Sequence, residues 1–246
     1  TPMSNNASPS TLVNFGGPSE ARWLTFHQIG NFRDHSNYRY LTDIFNAEPA
    51  LPGLNGEPYY PGYPDNDPPA DSEAAERNCR SGMYGSFLSG GLAGYFYGCE
   101  GIWGGDVESE ARYRIWEALR FRSGAQVPHL HKFVFVQGAR YQELIPRNDW
   151  VIPGEAGDAF GYEGWAYCAA VEDRSFLLLY FEAGAPQALV RNLDSTRTYR
   201  LHWFNPRLGI WVEDGLVPAI IPQQDGRALL PAIQDGEDWG MMLTAL

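Results

Sequence analysis

Lysine and long apolar runs are scarce in this sequence of 246 residues. Lysine occurs once, at Lys132, and 18 basic residues stand against 30 acidic ones, which gives a formal net charge of −12. A nucleic-acid-binding domain normally carries a basic patch, and the sequence contains no basic cluster. No stretch approaches the roughly 18 consecutive apolar residues of a transmembrane helix. We therefore expect neither nucleic-acid binding nor membrane insertion.

Cysteine is also rare, with Cys79, Cys99 and Cys168 as its three positions. Their number is odd and no two of them have the spacing of metal ligands, so we expect no zinc site and no other metal. One disulfide is an open alternative, but burial as small apolar side chains is the favoured interpretation. The first ten residues show neither the charged nor the apolar segment of a signal peptide.

Two kinds of pattern follow an N-terminal stretch, residues 1–20, that is expected to be a loop. Between residues 21 and 155, short apolar runs alternate with helical spacing. Strands are expected at 22–29, 51–60 and 92–103, and helices at 37–45, 71–89, 112–121 and 127–136, with Asp71 as an N-cap. The alternation predicts a parallel α/β architecture, but only three such units occur, whereas a (β/α)8 barrel needs eight.

The last part of the chain has a different pattern, because short β-rich runs follow one another without a helical segment. Eight such runs are expected at 164–171, 175–181, 188–193, 198–205, 210–213, 217–221, 227–230 and 239–246. Their spacing of about ten residues is typical of a β-sandwich. The fold class is therefore α/β followed by all-β.

Glu57 is the first candidate for chemistry. It ends an apolar run within the segment NGEPYY, at the point where a loop begins. The catalytic groups of parallel barrels lie at the carboxyl ends of strands. Tyr59 and Tyr60 follow it, and phenols beside a carboxylate suit contact with a polyol. The alternative is a solvated loop glutamate.

A second candidate cluster lies in the segment YFYGCEGIWGGD, residues 95–106. Its aromatic side chains Tyr95, Tyr97 and Trp103 could stack on the apolar faces of sugars and donate hydrogen bonds to hydroxyl groups. Glu100 and Asp106 are candidates for a second carboxylate. The alternative is core packing followed by a glycine-rich turn.

Polar residues after the first expected strand are candidate ligand contacts, namely His27, Gln28 and Asn31. For each histidine, including His35, a hydrogen-bonded structural role is the alternative. The sequence has no Gly-x-Ser-x-Gly elbow, which argues against a Ser-His-Asp triad. The glycine-rich segment at 89–94 precedes a strand and lacks a P-loop lysine, so it predicts no phosphate site.

Several motifs in a fixed order resemble the apiosidase-like glycoside hydrolases. They are WLTFHQIG at 23–30, NGEPYY at 55–60, SGGLAGYFYG at 89–98 and IW at 102–103. The segment WFNPRLG at 203–209 resembles a turn of the collagen-binding-type β-sandwich module that follows that barrel. The resemblance implies the C-terminal half of a (β/α)8 TIM barrel over residues 1–157 and a β-sandwich over residues 158–246.

The resemblance also implies a function. Glu57 matches the nucleophile of a retaining glycosidase, and the acid/base residue belongs to the N-terminal half of the barrel, outside this chain. The substrate is expected to be a plant or microbial polysaccharide side chain, bound by His27, Gln28, Asn31, Tyr59, Tyr60, Tyr95, Tyr97 and Trp103. The resemblance implies no cofactor. It also implies a secreted or periplasmic location.

A non-catalytic carbohydrate- or matrix-binding protein, or a scaffold, is the alternative function. In that case the β-sandwich would hold the ligand, and the barrel segment would be structural. Exposed tryptophans on one face of the sandwich, at Trp203, Trp211 or Trp239, would favour this alternative.

Overall fold

The computed structural model describes residues 8–30, 34–65, 67–212, 219–233 and 235–246. The α-helices within those ranges are α1 (Thr11–Phe15), α2 (Arg39–Phe45), α3 (Glu73–Leu88), α4 (Ile115–Ala118) and α5 (Arg122–Val134). Short 3-10 segments lie at His35–Tyr38, Phe135–Glu143 and Asn148–Trp150. No helix in the described part of the chain combines the length and the apolar character that a bilayer crossing requires.

The strands fall into three sheets. In chain order they are β1 (His27–Gly30), β2 (Gly53–Glu57), β3 (Ile145–Pro146), β4 (Val151–Ile152), β5 (Ala166–Ala170), β6 (Phe176–Phe181), β7 (Leu189–Val190), β8 (Tyr199–Asn205), β9 (Ile210–Val212), β10 (Ala228–Leu229) and β11 (Trp239–Ala245). β1 and β2 form a parallel pair, β10-β7-β4 form a three-stranded sheet, and β3-β5-β6-β11-β8-β9 form a six-stranded sheet. Every pairing within the two larger sheets is antiparallel.

The third parallel strand expected at 92–103 is reduced to one bridge, between Asn55 and Tyr95. The amides of Ala93 and Phe96 donate to carbonyls of β2. These two donors are three residues apart, whereas successive donors of a regular ladder are two apart. Gly94, at φ +129°, lies between them and supplies the extra residue. The segment around Tyr95 therefore pairs with β2 only at this one bridge.

Helix α3 connects the parallel pair to the six-stranded sheet. Ser72, not the expected Asp71, is its N-cap, because the Ser72 hydroxyl accepts from the Ala75 amide. Gly85 permits two tyrosine rings to pack closely against the helix. A Cβ at that position would lie 2.8 Å from the Tyr38 ring and 2.9 Å from the Tyr167 ring. The helix is thus held against β5, the strand that contains Tyr167.

The two larger sheets and their connections, residues 145–246, are called the two-sheet region below. Its central strand β6 is buried on both faces, as its uninterrupted apolar run predicts. Leu177, Leu179 and Phe181 face a core shared with the three-stranded sheet. Phe176 and Leu178 face a second core shared with α2, α3 and α5. The six-stranded sheet is therefore the middle layer of the molecule.

Several expected boundaries are corrected by the structure. Residues 11–15, expected as loop, form α1, because the Ser10 hydroxyl caps it. The strand expected at 22–29 begins only at His27, and the helix expected at 112–121 shrinks to α4. The helix expected at 127–136 begins five residues earlier, at Arg122. Of the strand expected at 217–221, residues 217 and 218 lie outside the described part, and Ile220 bridges Tyr199.

Strand pairing in the C-terminal part begins earlier than the sequence indicated. β3 pairs with β5, and β4 pairs with β7. Both early strands precede residue 157, the expected end of the first domain, and each contains only two residues. Such short strands carry no periodic signal, so only their partners identify them. The division at residue 157 stays a prediction.

Candidate active site

Glu57 is the last residue of β2, at the carboxyl end of the parallel pair, where the chain passes into a loop. It is half-buried. Its amide donates to Oδ1 of Asn55 at 3.3 Å, and Nδ2 of Asn55 donates to the Ser86 hydroxyl at 2.9 Å. Because Ser86 lies on α3, the buried Asn55 fixes the strand end that carries Glu57 to a neighbouring helix. Asn55 is a positioning residue, and its role was not predicted from the sequence.

A pocket with aromatic walls opens beside this strand end. Its volume is about 260 Å³, and it is lined by Gly56, Tyr60, Tyr63, Phe96, Tyr97, Gly98, Cys99, Glu100 and Trp103. This volume is slightly below the range of about 300–1,000 Å³ that is typical of pockets for drug-sized ligands. The pocket therefore matches a small ligand such as one sugar residue. We call it the aromatic pocket.

Tyr60 links the aromatic pocket to Glu57. Burial, and in second place the negative charge of Glu57, raise the pKa of the Tyr60 phenol. The phenol therefore stays protonated well above neutral pH and can donate a hydrogen bond. In the structure it is 3.4 Å from the Gly56 carbonyl. Tyr60 thus lines the pocket next to Gly56, the residue before Glu57, and is within the electrostatic influence of the Glu57 carboxylate.

Tyr97 and Trp103 form contrasting walls of the pocket. The Tyr97 hydroxyl is 2.9 Å from the Ser123 hydroxyl on α5, and burial raises the pKa of this phenol. Trp103 is 73% exposed, and its ring meets Tyr63 edge to face at 5.2 Å. A fixed phenol and an open indole give the pocket one rigid wall and one platform for stacking. Ser123 and Tyr63 were not predicted from the sequence, because neither lies in the motifs that carry the other candidates.

Gln28 reaches this region through Gly56. A Cβ at Gly56 would overlap Oε1 of Gln28 and lie 2.9 Å from its Cδ. Because glycine has no side chain, Gly56 leaves room for the buried Gln28 side chain at the position directly before Glu57. Of the two further carboxylates considered from sequence, Glu100 lines the aromatic pocket.

Three of the expected substrate contacts, His27, Tyr59 and Tyr95, do not line the aromatic pocket. His27 stands beside Gly53, four residues before Glu57 in register, which places it about 13 Å from the strand end at 3.3 Å per residue. It is 1% exposed, and its Nδ1 is 2.9 Å from the Thr11 hydroxyl. Tyr59 is buried and meets Tyr162 edge to face. Tyr95 packs against the core that contains α3.

The reason for these three positions is packing. Tyr59 and Tyr95 each precede a residue that lines the pocket, Tyr60 and Phe96, so neighbouring side chains of one motif face different surroundings. Sequence proximity to Glu57 could not distinguish the two sets. The remaining candidate, Asn31, lies outside the described residues.

Metal ligation finds no support in the part of the chain that the structure describes, where no three His, Cys, Asp or Glu side chains form a group suited to an ion. All three cysteines are buried and unbonded, which confirms the expectation that they act as small core residues. Burial raises the pKa of the thiols of Cys79 and Cys168. These thiols therefore stay protonated and are poor nucleophiles.

Comparisons with known structures show what this fold resembles. A structure described as "Glycoside hydrolase" superposes with a TM-score of 0.71 at 16% identity, over 96% of this chain and 55% of the other. The crystal structure of a glycoside hydrolase family 5 protein from Bacteroides vulgatus ATCC 8482 gives a TM-score of 0.72 at 16% identity, over 96% and 53%. The chain thus spans about half the length of each. At this identity the likeness concerns the fold alone.

Sequence comparison supplies the family. No curated protein matches the chain. The model of the family described as "Apiosidase-like, catalytic domain" matches residues 5–138, which is more than half of the 246 residues. That range includes Glu57 and every residue of the aromatic pocket. This chain belongs to the apiosidase-like family.

Proposed function

We propose that the chain is part of a glycoside hydrolase and that Glu57 is the nucleophile of a retaining reaction. One observation carries this proposal. Glu57 ends a strand of the parallel pair, and the aromatic pocket opens beside it. A carboxylate beside aromatic walls can attack a sugar that is held by stacking. Family membership and the likeness to two glycoside hydrolase folds support the same class of reaction.

The proposed reaction has two steps. In the first, a carboxylate oxygen of Glu57 bonds to the anomeric carbon, the glycosidic C–O bond breaks, and the leaving oxygen receives a proton from a second carboxylic acid. In the second, that group removes a proton from water, the water oxygen bonds to the anomeric carbon, and the bond to Glu57 breaks. The sugar is released with its configuration retained.

The second carboxyl group is proposed to lie on the N-terminal half of the same barrel, carried by a separate chain or by a segment outside these residues. The parallel β1–β2 pair is too small to close a barrel, and the chain spans about half the length of the two matching structures. Residues 1–157 would then form the C-terminal half of a TIM barrel. The two-sheet region would be the β-sandwich, since its two sheets share one core.

Substrate contacts are proposed for Tyr60, Tyr97 and Trp103, with Gln28 behind Gly56. Tyr60 would donate a hydrogen bond from its hydroxyl group to a sugar oxygen, and Trp103 would stack on a sugar face. His27, Tyr59 and Tyr95 would support the site from the core. We further propose a plant or microbial polysaccharide side chain as the substrate and a secreted or periplasmic location.

Trapping of the glycosyl intermediate tests the assignment of Glu57. The chain is produced together with the proposed N-terminal half of the barrel, as a separate chain or as a preceding segment, and is incubated with activated 2-deoxy-2-fluoro glycosides, which form the intermediate but hydrolyse slowly. Peptide mass spectrometry then locates the added sugar. We expect the label on the peptide that contains Glu57, and none in Glu57→Gln.

Hydrolysis of aryl glycosides by the same protein gives the second measurement. Glu57→Gln should lower kcat by roughly 10³-fold or more, because the covalent step loses its nucleophile. Glu100→Gln is the matched control, since it changes a carboxylate that lines the pocket but does not end a strand of the parallel pair. Undiminished hydrolysis by Glu57→Gln would disprove the assignment. Binding without any hydrolysis or labelling would favour the alternative of a non-catalytic binding or scaffold protein.

A further inference from the structure

A second pocket lies on the two-sheet region, away from the residues assigned above. It has a volume of about 300 Å³, and its lining includes Trp203, Val212, Pro231, Ile233, Asp235 and Trp239. None of these residues borders the aromatic pocket. The indoles of Trp203 and Trp239 meet at 5.8 Å with their planes 76° apart. They form a concave corner, which we call the tryptophan pocket.

Polar contacts hold this corner in place. Oδ1 of Asp235 accepts from the Trp239 indole at 2.8 Å and from the Glu237 amide at 3.0 Å. Oδ2 of Asp235 accepts from Nη2 of Arg207 at 3.2 Å, and the Arg207 guanidinium lies 5.0 Å from the centre of the Trp239 ring. The orientation of Trp239 is therefore fixed by a carboxylate at its nitrogen and a cation over one face.

The charged side of the pocket continues into a neighbouring hollow. Asp235 borders both spaces, and the second, of about 260 Å³, is also lined by Arg207 and Glu237 and by charged side chains of α3. An elongated ligand could therefore rest one unit on the tryptophans and extend the next along charged, hydrogen-bonding groups. This combination of apolar corner and polar extension is suited to a chain of sugar units.

We propose that the tryptophan pocket binds a neutral glycan chain, separately from the catalytic reaction. A sugar ring offers C–H groups to the indoles and adjacent hydroxyls to a carboxylate and a guanidinium, which together supply both acceptors and donors. A proline-rich peptide would fill the corner, but its rings offer no donor to Asp235. The neighbouring hollow is lined by four arginines and four carboxylates, so it offers no net positive charge to an acidic glycan, and the net charge of −12 disfavours one.

Affinity electrophoresis of the full chain tests the proposal. The chain is run through gels that contain neutral galactomannan, arabinoxylan or xyloglucan, and in parallel through gels with polygalacturonate or gelatin. We expect retardation by at least one neutral polysaccharide. Trp203→Ala should weaken the apparent affinity about tenfold or more, as removal of a central aromatic anchor does.

Two tryptophan variants outside the pocket are the controls. Trp116→Ala removes a half-exposed indole on α4, and Trp103→Ala removes the platform of the aromatic pocket. Trp116→Ala should be retarded like the parent, and Trp103→Ala should lose less of the retardation than Trp203→Ala does, which separates this site from the proposed active site. For Trp203→Ala, circular dichroism verifies the fold. Fluorine NMR of the parent labelled with 5-fluorotryptophan gives a reading without mutation, in which Trp203 and Trp239 should shift on addition of glycan and Trp116 should not.

Four results would overturn the proposal. They are no retardation by any neutral polysaccharide, equal retardation of Trp203→Ala and the parent, loss of binding only in Trp103→Ala, and retardation by gelatin or polygalacturonate alone. Each leaves the assignment of Glu57 untouched, because that assignment is measured by covalent labelling and hydrolysis.

Discussion

Arg80 and Asp238, 158 positions apart in the chain, form a two-pronged buried ion pair. Nε and Nη2 of Arg80 donate to the two carboxylate oxygens of Asp238 at 2.7 and 2.8 Å. The Tyr180 hydroxyl donates to the same carboxylate, and Gln126 accepts from the remaining prong of Arg80 at 2.8 Å. The pair joins α3 to the residue that precedes β11. It therefore ties the helix beside the candidate active site to the two-sheet region.

Removal of one partner of this pair should strongly destabilise the protein. Arg80→Met leaves the Asp238 carboxylate buried with its main cation gone, and we expect a loss of about 3–5 kcal/mol in the free energy of unfolding. Urea denaturation followed by circular dichroism measures it. The double variant with Asp238→Asn should recover part of the loss, because no charge is then left unpaired.

The control for that experiment is an exposed pair of the same chemistry. Arg191→Ala breaks an ion pair with Asp149 whose side chains are both exposed, and the expected loss is about 0–1 kcal/mol. If Arg80→Met cost no more than Arg191→Ala, the buried pair would not stabilise the contact between α3 and the two-sheet region.

Gly56→Ala should distort the end of β2. The added methyl group overlaps the Gln28 side chain, so we expect a loss of about 1–3 kcal/mol in the free energy of unfolding and slower turnover by Glu57. Gln28→Ala in the same chain should relieve part of the cost, since it removes the opposing atoms. Gly17→Ala is the control, because its methyl group would meet only the Glu20 carboxylate at 3.7 Å. Additive losses in the double variant would contradict the contact.

His27 should make the protein less stable at mildly acidic pH. Burial lowers the pKa of His27 below its ordinary value of 6.5. Between the lowered pKa of the folded state and the ordinary pKa of the unfolded state, the unfolded state binds more protons. The contribution of His27 to the free energy of unfolding is therefore fully present above pH 6.5 and is lost as the pH drops below it. Unfolding in urea at pH 7.5 and 5.5 measures the change.

The matched variants isolate that contribution. His27→Asn should reduce the difference between the two pH values, and His131→Asn, on the exposed side of α5, should leave it as in the parent. Burial also lowers the pKa of His202, so part of the pH dependence should remain in His27→Asn. An unchanged difference in His27→Asn would refute the assignment.

Trp103→Ala should weaken substrate use without weakening the fold. The indole is mostly exposed, so the free energy of unfolding should change by no more than about 0.5 kcal/mol. The loss of stacking, about 0.5–1.5 kcal/mol, should lower kcat/KM by roughly two- to tenfold in the active, completed enzyme. Trp116→Ala, on α4, is the control. Equal kcat/KM for Trp103→Ala and the parent would exclude Trp103 from the substrate site.

The local elements were largely predictable. Helix α3 and the strands β6, β8 and β11 follow from periodicity and from uninterrupted apolar runs, because these residues can be buried only as helix or strand. The strands that were predicted wrongly or not predicted also differ because of features within a few residues of the chain. The strand expected at 92–103 shrinks to a bridge where Gly94 inserts an extra residue, and β3 and β4 are too short to carry a pattern.

The candidate site was less predictable than the fold. The position of Glu57 at a strand end could be predicted, since an apolar run that meets a loop marks such an end. The orientations of Tyr59 and Tyr95 could not, because they depend on which neighbour fills the space beside them. Asn55 gave no signal, since its role depends on Ser86, a residue 31 positions away.

The sequence by itself determined helix α3, the buried strand β6 and the placement of a carboxylate where a strand ends, because each depends on residues close together in the chain. The tertiary structure alone decided which aromatic side chains line a pocket, that Trp203 and Trp239 form a corner, and that Arg80 meets Asp238. Those relationships join residues from distant segments, and their energies exist only once packing has removed water and brought the groups into contact.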